Sequence, residues 1–156
     1  MMVMTAKVDI KKIIALLAVL ALVIIGLVVL LGGSGGVQTT AAQAVSDNDA
    51  RVRFLENFGW DVAASPVESG RARIPEKSSE VFDRYAALQK SQGYDLAPYA
   101  GKTVMRYVYK VNNYPGAAEP VYATLLVSKN QVIGGDVTDT AADGQMHGFA
   151  MPAGAG

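Results

Sequence analysis

The hydrophobic pattern changes period along this chain, and each change predicts a different element. From Ile13 to Leu31 nineteen consecutive residues (IIALLAVLALVIIGLVVLL) carry neither charge nor polar side chain. In a helix they would span roughly 28 Å, close to the ~30 Å hydrocarbon thickness of a bilayer. After Val45 the pattern turns amphipathic. Ser46-Asp47-Asn48 can cap a helix whose apolar residues Val52, Phe54, Leu55 and Phe58 fall at helical spacing, and Gly59 ends it. Trp60 to Glu68 reads as an extended segment broken at Pro66, Ser69-Gly70 as a turn, and Arg71 to Ile74 as a short strand. Ser78 or Ser79 caps a second helix with an apolar stripe of Val81, Phe82, Tyr85 and Leu88, stopped by Gly93.

Beyond the Tyr94–Lys102 loop the period becomes two. Met105, Tyr107, Tyr109 and Val111 face one way, and Val104, Arg106, Val108 and Lys110 the other. After the Asn112–Pro120 loop, Val121–Val127 and Gln131–Val137 give two further strands. Asn130 suits the left-handed conformation of the tight turn between them. Strands that follow one another without crossover helices predict an α+β domain. Its C-terminal three-stranded antiparallel meander would carry two helices packed on one face.

Charge orients the long apolar run. Lys7, Lys11 and Lys12 precede it, and no basic residue follows until Arg51, which places the N-terminus in the cytoplasm and the remainder outside. The run is too long for a secretory signal, and the small-x-small triplet Ala42-Gln43-Ala44 lies far beyond it. The expected organisation is a cytoplasmic 1–12, a membrane helix 13–31 held by the lipid bilayer, a flexible linker 32–45, an extracytoplasmic domain 46–149 and a flexible tail 150–156. The net charge of zero divides into a basic residue 1–12 segment and a slightly acidic remainder with eleven basic and thirteen acidic residues. That balance excludes the footprint of a nucleic-acid binder. The chain has no cysteine, so neither a lipoprotein anchor nor a disulfide is available.

Candidate chemistry concentrates near the C-terminus. His147, the single histidine, follows Asp136, Asp139 and Asp143, a set competent for a divalent metal. The alternative makes the aspartates turn formers and has His147 bond to backbone or pack on the sheet. Asp139, Asp143 and Gly144 match three positions of a calcium loop, but Ala141 and Ala150 stand where ligands belong, so an EF-hand is excluded. The pair Gly134-Gly135 inside a strand marks either a groove floor for a peptide or glycan, or a bulge against which a helix or loop packs. Tyr94, Tyr99 and Tyr114, in predicted loops, are the aromatic candidates for binding such a ligand. Gly32-Gly33-Ser34-Gly35-Gly36 spells a nucleophile-elbow pattern but follows an apolar span instead of a strand, and no serine stands at a persuasive spacing from His147.

Several stretches together resemble a family of membrane-anchored bacterial proteins, mostly clostridial, that bear a domain of unknown function. They are Phe54-Leu55 with Phe58-Gly59-Trp60, Ile74-Pro75, Tyr85, Leu88-Gln89-Lys90 with Gln92-Gly93, Asp95-Leu96, Tyr99 with Gly101-Lys102, Ile133 to Val137, and Met146-His147-Gly148. The resemblance covers Arg51 to Gly148 and implies one N-terminal span and a small outer domain. It brings no catalytic residue and no cofactor. The leading expectation is therefore a non-catalytic envelope domain that binds a peptide, a glycan or an envelope protein. The alternatives are a metal-binding domain or metal-dependent hydrolase centred on His147, and a structural envelope component without a small ligand.

Overall fold

The computed structural model describes residues 44–153. The expected cytoplasmic segment, the membrane helix 13–31 and nearly all of the linker lie outside the described residues. Among the described residues no helix is long and apolar enough to cross a membrane.

Helix α1 (Asn48–Glu56) starts where the carboxylate of Asp47 accepts the amide of Ala50 at 2.8 Å. Helix α2 (Glu80–Ser91) starts at Ser79, whose hydroxyl accepts from the Phe82 amide. Between them lies β1 (Glu68–Arg73), and after α2 a single 3₁₀ turn (Ala97–Tyr99) leads into β2 (Thr103–Val111), β3 (Val121–Ser128), β4 (Gln131–Asp139) and the two-residue β5 (Met146–His147). All five strands join one antiparallel sheet in chain order. The α+β class and the three-stranded meander hold, extended by one strand at each edge. β1 begins earlier than the pattern suggested, with Ser69 and Gly70 inside the strand. The β3–β4 turn places Lys129 and Asn130 both at positive φ (49° and 62°), the paired left-handed geometry of a two-residue hairpin.

The helices do not share a face of the sheet, contrary to the sequence expectation. Phe54 and Leu55 of α1 pack with Tyr109, Val111, Ala123, Leu125 and Val137, whereas Phe82 and Tyr85 of α2 pack with Ile74, Leu96, Val104, Leu126 and Ile133. These two sets take alternate positions along β2 and β3, so they lie on opposite faces. An amphipathic stripe states that a helix has a buried side but not which face of a sheet receives it. Within α2 the stripe is also rotated: Val81 is 81% exposed, and the fully buried position is Gln89.

The fold reaches beyond both expected boundaries. Val45, assigned to the linker, is buried in the core and donates its amide to the Asn130 carbonyl at 2.7 Å. Met151, assigned to the tail, packs against the same core. Phe149 fills the centre of the α1 face at 1% exposure, edge-on to Phe54 and accepting the Trp60 indole N–H at its carbonyl at 2.6 Å.

Candidate functional site

The glycine pair sits where a sheet and its covers meet. Ile133 is an extra residue in β4, since Val127 pairs with Val132 and Leu126 with Gly134, so a bulge precedes the pair. A Cβ on Gly134 would lie 2.8 Å from Oε1 of Gln89, and one on Gly135 only 2.1 Å from the Thr124 carbonyl and 2.4 Å from the Phe149 ring. The amide of Gly135 donates to Gln89 Oε1 at 2.8 Å, and its carbonyl accepts from Gln92 Nε2 at 3.0 Å. Gln92 also accepts the Phe149 amide at 2.7 Å, so two glutamine side chains satisfy backbone groups that β5 is too short to reach. The floor marked by Gly134 and Gly135 is thus covered by the domain's own α2 and C-terminal segment.

The predicted binding tyrosines separate. Tyr94 and Tyr99 border one hollow of about 160 Å³ beside Ile133. Tyr94 is half-buried with its ring edge-on to Phe149, and burial raises its hydroxyl above the ordinary pKa of 10.0. Tyr114 lies elsewhere, stacked on Trp60 at 5.7 Å.

The predicted metal set also divides. Val137 pairs with His147, so the histidine shares the face of Val137, while Asp136 points to the other face. His147 Nδ1 lies 2.7 Å from the Gly148 carbonyl, which can only accept, so this nitrogen carries the proton. Nε2 then accepts from the Tyr114 hydroxyl at 3.2 Å, and no lone pair of the ring is left for a cation. Asp139 accepts the Ala141 amide at 3.0 Å in a side-chain turn. Among the described residues no group of three or more His, Asp or Glu side chains is gathered to hold a metal. Asp139, Asp143 and His147 line one hollow of about 640 Å³ together with Tyr114, while the strand alternation puts Asp136 on the other face of the sheet.

A different feature stands out on the α2 face. A groove of about 650 Å³ runs over the sheet between α2 and β1, floored by Val108, Tyr122, Thr124, Leu126 and Asp136 and walled by Val67, Ile74, Phe82 and Tyr85. Three large apolar residues are exposed among the described residues, and two of them, Val67 (58%) and Met146 (51%), border this groove. At its floor Asp136 is 4% exposed. Its Oδ2 accepts the Tyr85 hydroxyl at 3.1 Å, and Oδ1 accepts the Thr138 hydroxyl at 2.8 Å. Burial pushes the Asp136 carboxyl above its ordinary 3.8, against the opposing effects of Thr138, Tyr85 and the Arg106 charge. Burial first, and then the Asp136 charge, pushes the Tyr85 hydroxyl far up, so Tyr85 stays a donor. Arg106, which also lines the groove, pairs with Glu68 at the rim, 2.5 Å from Nη1 to Oε1.

Residues 54–137, more than half of the chain, match the family described as a domain of unknown function, DUF4830. This chain belongs to the DUF4830 family. The match contains α2, β1–β3, β4 as far as Val137, and every groove residue named above except Thr138 and Met146, whereas β5 and Phe149 lie past its end. Compared with curated proteins and with solved structures, the chain matches none.

Sequence reasoning placed Asp136 with the loop aspartates and missed its strand partners. The signal was present in the period of two: Gly134, Asp136 and Thr138 form one row of β4, and Asp136 is the one charge in an otherwise apolar and small strand interior.

Proposed function

We propose that this DUF4830 domain is a non-catalytic binding module, carried outside the cell by a single-pass membrane anchor, that takes an extended peptide segment of an envelope partner in the α2 face groove. The anchor rests on the apolar run Ile13–Leu31 with Lys7, Lys11 and Lys12 before it. The observation that carries the binding reading is an open groove with apolar walls and exposed Val67 and Met146 at its edges, beside a sheet face that α2 covers only in part. Exposed large apolar residues gathered around a concavity mark interaction sites more often than they mark nothing. Apolar walls with a few polar groups at the floor suit the side chains of a peptide.

The test is retention of a mixture of capped pentapeptides of degenerate sequence by the immobilised full chain, compared with Val67→Asp/Met146→Asp. Both positions are exposed, so the double variant should keep its stability within about 0.5 kcal/mol per site. Retention falling about tenfold in the variant supports the groove. Equal retention by both proteins, or none by either, would sink the reading.

A further inference from the structure

The Asp136 cluster at the groove floor is chemically one-sided, and that one-sidedness selects a ligand. The hydrogens of the Tyr85 and Thr138 hydroxyls both point to the Asp136 carboxylate. What the three side chains leave toward the groove is therefore lone pairs only: the spare acceptor positions of the carboxylate and those of two hydroxyl oxygens held against it. A ligand group that must also accept, such as an amide or a sugar hydroxyl, would leave acceptors facing acceptors. A group with donors only fits.

We infer that the groove reads a primary ammonium, the lysine side chain of the bound peptide, at Asp136, Tyr85 and Thr138. This deepens the peptide-binding reading and rests on it. Both carboxylate oxygens already accept a hydroxyl, Oδ2 from Tyr85 and Oδ1 from Thr138, which breaks up the free parallel pair that a guanidinium fork engages and leaves acceptors spread around a point for a compact three-donor head. Phe82 in the wall and Val108 and Leu126 on the floor supply apolar surface for a four-carbon stem. One neighbour opposes the assignment, the cation of Arg106, which also lines the groove and is paired with Glu68.

The experiment follows the resonances of the full chain in detergent micelles during titration with Nα-acetyl-lysine methylamide, and separately with the equally capped norleucine and arginine. Lysine should bind about tenfold or more tightly than norleucine, the size expected for a charge-assisted hydrogen bond, and perturb Tyr85 and Asp136. Asp136→Asn should erase the difference, and Arg106→Gln should tighten lysine binding severalfold while leaving norleucine unchanged. Equal binding of lysine and norleucine, preference for arginine, or no binding of any of the three would overturn the ammonium reading. The peptide-retention assay decides separately whether the groove binds peptides at all.

Discussion

The two faces of this sheet are built from the same strands and have opposite characters. The α1 face is filled: Trp60, Tyr109, Leu55, Leu125, Val137 and Phe149 are all fully or almost fully buried. The α2 face has apolar residues at one end and polar ones, Thr124, Asp136 and Thr138, under an open groove at the other. Alternation along a strand lets one sequence specify both, with one row of residues committed to packing and the adjacent row left available. Stability and binding are thereby assigned to different side chains, and substitutions should separate them.

The largest expected effect lies on the filled face. Phe149→Ala removes a buried ring and should lower the unfolding free energy by about 3–5 kcal/mol, measured by urea denaturation. A loss under about 1 kcal/mol would mean that the C-terminal segment does not complete this core, and the contrast between faces would fail.

The smaller effect, opposite in sign, lies at the groove floor. The folded-state pKa of Asp136 is raised above the ordinary 3.8 of an unfolded chain. Between those values the folded state holds a proton that the unfolded state has released, so stability from this group falls as pH rises through that window and stays reduced above it. Asp136→Asn removes the ionisation, and the difference in stability, variant minus wild type, should rise from pH 3 to pH 7. A difference that stays flat or falls would show that the hydroxyls of Tyr85 and Thr138 more than offset burial, making Asp136 a stabilising group like those of the other face.

The local elements were legible in the sequence, but the contrast between the faces was not. Caps at Asp47 and Ser79, the stops at Gly59 and Gly93 and the turn at Asn130 follow from local chemistry, and local chemistry is what a sequence states directly. The placement of α2 was not read, although Val104 and Val108 in the second row of β2, and the nearly continuous apolar run of β3, already called for cover on both faces. β5 is two residues long, too short for any period to register. Asp136 was grouped with Asp139, Asp143 and His147 because proximity in sequence near a strand end conceals which face each residue takes. The groove was missed for a related reason: its walls come from segments far apart in the chain, and no single window contains it.

The indole bond from Trp60 to Phe149 joins residues 89 positions apart, while β2, β3 and β4 are linked by short connections. Closing a long loop carries more entropy than closing a hairpin, so the meander should assemble ahead of the segment that seals it. In folding, the final step is then the docking of Phe149, and in breathing motions that segment leaves first. Native-state hydrogen exchange should find the Phe149 amide less protected than those of β3, and equal protection would mean that the seal and the sheet open as one unit.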